Sequence, residues 1–234
     1  MTASDASTTE RPLRILMAAS EVAPVAKTGG LADVTAALAL RLQRRGHDCR
    51  LIVPLYKRLH EAGLTFTDVP GLDAVPVRLG GRAGHVAVRE TTLASGLRLW
   101  CLDAPALYHR EGIYTQDPDE VVRFAVLARA ALSVCQESNW APDIVHAHDW
   151  HVALMPLYVK LLASWERLFA DTRSLLTIHN IGYQGTTSAE SLRDIGLDDA
   201  LSQLDPDDLQ RGVVNLLKTG VRHADGLSTV SRTY

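Results

Sequence analysis

Cysteine is scarce in this chain: three in 234 residues, Cys49, Cys101 and Cys135, odd in number and far apart. That excludes a disulfide framework and a cysteine metal knuckle, and it predicts reduced thiols acting as small core residues in a reducing, cytoplasmic setting. No run of about eighteen uninterrupted apolar residues is present, so no membrane-spanning helix is expected. The N-terminus lacks the charged start and apolar stretch of a secretory leader. Neither charge sign dominates, with a formal net charge of −3. Lys and Arg are scattered apart from Arg41, Arg44 and Arg45 on one helix face, which argues against a nucleic-acid partner. Also missing are G-x-G-x-x-G and the phosphate loop G-x-x-x-x-G-K-[ST], so a generic dinucleotide or P-loop enzyme is disfavoured.

What is present is a full core: 47% of residues are hydrophobic, enough for one large domain. Met1 to Pro12 is small and polar and is expected to be a disordered tail. Residues 13–234 then form one domain. Apolar runs suited to buried strands lie at Leu13–Ala18, Cys49–Val53, Leu97–Leu102, Asp143–His146, Ser174–Ile178 and Gly226–Val230. Helix-period stretches separate most of them, at Leu31–Arg45, Glu120–Glu137, Val152–Phe169 and Asp207–His223. The alternation predicts an α/β fold, a Rossmann-like, doubly wound, mostly parallel sheet. Between Asp73 and Thr92, two alternating segments around Gly80-Gly81 predict an inserted β-hairpin.

Three chemically dense strings follow predicted strands, where ligands of doubly wound sheets collect. The first, Ser20-Glu21-Val22-Ala23-Pro24-Val25-Ala26-Lys27-Thr28-Gly29-Gly30-Leu31-Ala32-Asp33, leads from a strand into a helix. Paired glycines and a helix N-terminus make a cradle for an anion, with Lys27 adding a positive charge. The alternative is a tight turn with an exposed lysine. The second, His146-Ala147-His148-Asp149-Trp150-His151, invites a metal reading, but binuclear hydrolases use His-x-His-x-Asp-His. Here Trp150 occupies the aspartate's slot, so no metal site is expected. The third, His179-Asn180-Ile181-Gly182-Tyr183-Gln184-Gly185, offers an imidazole and an amide, donors and acceptors without net charge that suit sugar hydroxyls. The alternative is a His-Asn turn that only caps the strand.

Lys-Thr-Gly-Gly-Leu-Ala-Asp-Val, His-Ala-His-Asp-Trp-His and Thr-x-His-Asn-x-x-Tyr-Gln-Gly together resemble the bacterial glycogen synthase and plant starch synthase family. Further matches run through Leu102-Asp103-Ala104-Pro105, Arg123-Phe124-Ala125, Gly212 to Gly220, and Ala224-Asp225, in family order. The resemblance implies the N-terminal half of a two-domain GT-B glycosyltransferase that transfers glucose from ADP-glucose to an α-1,4-glucan such as glycogen, with retention and no cofactor. It implies that Lys27, Gly29, Gly30, Asp33, Tyr108, Asp149, His179 and Asn180 are substrate-binding residues. The family's catalytic lysine, arginine and glutamate belong to a C-terminal domain, so none is assigned here, and the half chain is expected to be inactive by itself. A non-catalytic glucan-binding module or a truncated relic is the competing reading. The segment between Tyr108 and Arg123 is shorter than the family's, Glu120 replaces its asparagine, and Arg232 replaces a proline.

Overall fold

The computed structural model describes residues 11–231. Residues 1–10 of the tail expected over residues 1–12, and the Arg232 replacement, therefore lie outside the described residues. Arg11 is held in place, its Nη2 donating to Asp143 Oδ1 at 2.7 Å.

In chain order the elements are β1 (Arg14–Ala18), α1 (Gly30–Arg44), β2 (Asp48–Pro54), α2 (Lys57–Glu61), β3 (Thr67–Asp68), β4 (Val75–Leu79), β5 (Arg82–Thr92), β6 (Arg98–Asp103), α3 (Pro105–Tyr108) and α4 (Glu120–Glu137). There follow β7 (Ile144–His148), α5 (Met155–Ala163), β8 (Arg173–Ile178), β9 (Thr186–Ser188), α6 (Pro206–Gln210), β10 (Val213–Asn215), α7 (Leu216–His223) and β11 (Gly226–Thr229).

All six apolar runs expected as strands pair in parallel, in the order β11-β8-β7-β1-β2-β6. Their near-continuous hydrophobicity reflects cover on both faces. The hairpin also forms, turning at Gly80-Gly81, with Val75 opposite Val86. It is more than an insertion: β5 continues to Thr92 and pairs antiparallel with β6, extending the main sheet to nine strands.

Two helix expectations need correction. Val152–Phe169 is a short 3₁₀ turn, then α5 from Met155, then a second 3₁₀ turn at Arg167–Phe169. Asp207–His223 is broken at Gly212, whose φ of +73° leaves the helical region. Val213–Asn215 then pairs with Thr186–Ser188 before α7 begins, with the Asn215 side chain capping Lys218 N.

Strand order places the site. From β1 the chain winds one way to β2, while β6 to β7, β7 to β8 and β8 to β11 wind the other way. Right-handed crossovers therefore put α1 on one face and α4, α5 and α7 on the opposite face. α5 packs against both α4 and α7. The direction reverses between β1 and β7, so the loops leaving their carboxyl ends part and open a crevice.

Candidate functional site

That crevice is a cleft of about 1000 Å³, and all three dense strings reach it: Thr28, Gly29 and Gly30 after β1, Asp149, Trp150 and His151 after β7, and His179 and Asn180 after β8.

The glycine loop is built differently from the expected open anion cradle. Its first two amides are already taken by an internal carboxylate: Glu21 Oε2 accepts from Thr28 N at 2.6 Å and Gly29 N at 3.1 Å. Oε1 accepts from the Thr28 hydroxyl at 2.7 Å and the Tyr114 hydroxyl at 2.6 Å. Glu21 is 3% exposed, so these four bonds offset much of its desolvation. What remains for a ligand is the first turn of α1 at Gly30 and Leu31, which lines the cleft and carries no side-chain cap.

Lys27 is not a free charge. Its Nζ sits 2.7 Å from both Asp33 carboxylate oxygens, in an exposed ion pair outside the cleft lining. Lys27 and Asp33 thus satisfy each other at the rim. No lysine or arginine lines the cleft among the described residues.

Tyr108 is a second correction. It is wholly buried, its hydroxyl donates to the Arg123 carbonyl at 2.9 Å, and its ring meets Tyr56 edge-on. The tyrosines that line the cleft are Tyr183 and Tyr114, and Tyr114 bonds Glu21 and Ser20 and stacks on His151 at 4.9 Å. Arg123, also buried, donates from Nη2 to Ile113 O at 2.6 Å and so pins the short segment that carries Tyr114. Glu21 and Tyr114 were missed as site residues, although Glu21 stands in the first string. A glutamate at a strand end, eight residues before paired glycines, is the signal the sequence carries.

Asp149 follows β7 directly, at φ +65° and ψ −177°, a backbone region that is essentially glycine's own. Its N–H donates to Thr177 O at 2.9 Å, which helps hold it there. The carboxylate is 4% exposed and lines the cleft, and its Oδ1 has no hydrogen-bond partner among the described residues. Burial pushes its pKa up to about 6, against the pull of the Trp150, Asn180 and His179 backbone N–H groups. A strained, under-bonded carboxylate facing a cleft is placed to accept hydrogen bonds from a ligand.

The histidines of the second string face three ways. His146 Nε2 meets the Thr177 hydroxyl at 2.6 Å, His148 Nδ1 meets His179 Nε2 at 3.0 Å, and His151 lies among Tyr114, Phe124 and Trp150. Burial lowers His146 and His179 to about 4, and His148 and His151 well below their ordinary value. All four are neutral near pH 7. Asn180 Oδ1 accepts from Gly182 N at 2.9 Å, closing the turn, and the residue lines the cleft. At Gly185, φ is +61° and a Cβ would fall 2.3 Å from the Trp150 ring, so this turn needs glycine to lie on the indole.

Comparisons with known proteins identify the family of the chain. Residues 14–234 match the family model described as the starch synthase catalytic domain. The chain belongs to that family. It is 37% identical over 226 residues to glycogen synthase of Geotalea daltonii, covering 95% of this chain and 46% of the relative. Against glycogen synthase 2 of Geobacter metallireducens the figures are 38% identity and the same coverage. The catalytic domain of starch synthase IV from Arabidopsis thaliana, solved with ADP and acarbose, superposes with a TM-score of 0.81 at 34% identity, over 96% of this chain and 46% of that one. The chain thus spans about half the length of the relatives it matches. The family is one of glycosyltransferases, and this fold is the N-terminal half of a GT-B enzyme.

Proposed function

We propose that this chain forms the N-terminal wall of a glucosyltransferase cleft that takes ADP-glucose and extends an α-1,4-glucan such as glycogen, with retention. The observation that carries the reading is the meeting of Asp149, His179, Asn180 and the uncapped first turn of α1 in one cleft at the strand-order reversal. Neutral imidazole, amide and a hydrogen-bond-hungry carboxylate suit sugar hydroxyls, while Trp150 and Tyr183 offer apolar ring surface beside them. The binding of ADP and acarbose by the related starch synthase IV supports the same ligand classes here.

The transfer breaks the bond between glucose C1 and the diphosphate and joins C1 to the 4-hydroxyl of the glucan end, whose proton is released. Negative charge grows on the departing diphosphate. With Lys27 tied to Asp33 and no cation lining the cleft among the described residues, those residues supply helix-terminal N–H groups but no guanidinium or ammonium. The missing charge stabilisation is the part we assign to a C-terminal domain facing this wall. Losing even one such donor costs about a hundred- to a thousand-fold in rate. The three buried, unpaired cysteines fit action in a reducing cytoplasm.

The test is transfer of labelled glucose from ADP-glucose to glycogen, by the 234-residue chain alone and after adding a separately produced C-terminal domain of a related synthase. The expected result is activity only in the mixture. Transfer by the chain alone would refute the half-cleft reading. Glycogen binding without transfer in either case would favour a binding module.

A further inference from the structure

His148 is wholly buried at the end of β7, and it touches the cleft only through another residue. Its Nδ1 lies 3.0 Å from Nε2 of His179, the half-buried imidazole that lines the cleft. Its Nε2 is buried with no hydrogen-bond partner among the described residues. The His148 ring also packs on His146, whose ring centroid is 4.1 Å away and whose Nε2 is bound to Thr177. Thr177 in turn meets the Ser228 hydroxyl at 2.6 Å, so β7, β8 and β11 brace the pair together.

Burial keeps both imidazoles of the pair neutral, so each carries one ring hydrogen. Only one hydrogen fits between the facing nitrogens. If His179 donates it, the His148 hydrogen sits on Nε2, a buried N–H without an acceptor. If His148 donates it from Nδ1, only a lone pair at Nε2 goes unused. Orphaned buried N–H groups are the rarer defect, so the second arrangement is favoured.

We infer that His148 is a positioning residue that fixes His179 in the Nδ1–H tautomer, so that His179 meets its ligand as a hydrogen-bond donor. His179 Nε2 is then occupied as an acceptor, and Nδ1–H is the group left for a ligand oxygen. That the oxygen belongs to a sugar hydroxyl rests on the function proposed above. The tautomer itself does not, and it is read on the ligand-free chain, so the two can fail separately.

The experiment is long-range ¹H–¹⁵N correlation spectroscopy of the histidine rings in the uniformly ¹⁵N-labelled 234-residue chain near pH 7.5, with His179 assigned by the signals lost in His179→Gln. The expected wild-type spectrum shows His179 protonated on Nδ1 alone. In His148→Ala that single pattern is lost to a mixture of tautomers. In His148→Asn, whose side-chain amide nitrogen can stand where Nδ1 stood, it returns. A wild-type His179 protonated on Nε2 overturns the inference, as does an unchanged Nδ1–H pattern in His148→Ala. Should His148→Ala fail to fold, the wild type and His148→Asn still decide: both must show Nδ1–H.

Discussion

Asp149→Asn should make this protein more stable at neutral pH, although it removes a carboxylate from the centre of the site. The carboxyl's pKa is raised from 3.8 to about 6 because burial penalises its charged form. An unfolded aspartate titrates near ~3.9. Between those values the native state holds a proton that the unfolded chain has released, so the residue's contribution to stability falls as pH rises from about 4 to about 6 and stays low above that. A rise of about two pH units, at about 1.4 kcal/mol each, makes the charged carboxylate cost about 3 kcal/mol at pH 7. Asparagine carries no charge to desolvate. Its oxygen can keep the backbone N–H donors, and it strains this backbone no more than the aspartate it replaces. The assay is urea or thermal unfolding of both proteins from pH 4 to pH 7.5. The stability of the variant relative to wild type should climb by about 3 kcal/mol across that range, or about 6–12 °C in Tm for a chain of this size. Other titrating groups act equally on both proteins and cancel in the difference. A difference that does not change with pH would refute the burial argument.

Two further perturbations probe the frame around the site. Gly220→Ala, in α7, puts a Cβ 2.4 Å from the Ala153 carbonyl oxygen and 2.9 Å from Leu176 Cδ2, so despite better helix propensity it should lower stability by about 2 kcal/mol or more. A melting temperature that does not fall would show that the α7 contact yields easily. Glu21→Ala strips the acceptor from Thr28 N, Gly29 N and the Thr28 and Tyr114 hydroxyls; a loss of about 2–4 kcal/mol in urea unfolding is expected. An unchanged midpoint would mean that the loop does not depend on this carboxylate.

The six parallel strands and the hairpin were legible because buried strands are written as short apolar runs, and Gly80-Gly81 marks a turn between alternating segments. The segment 207–223 misled because Leu209, Val213, Leu216 and Leu217 sustain a helical spacing. The break depends on a positive φ at Gly212 and on pairing with Thr186–Ser188, partners some 27 residues away that no local pattern announces.

For the site, the sequence by itself determined which loops carry the chemistry, because strand-end position and residue type are local properties. It could not show that Glu21 occupies the glycine-loop amides, that Asp33 neutralises Lys27, or that Tyr114 rather than Tyr108 enters the cleft. Those outcomes depend on which groups lie within about three ångströms of one another, and that distance is set only when the strands pack side by side and the loops beyond them are brought together.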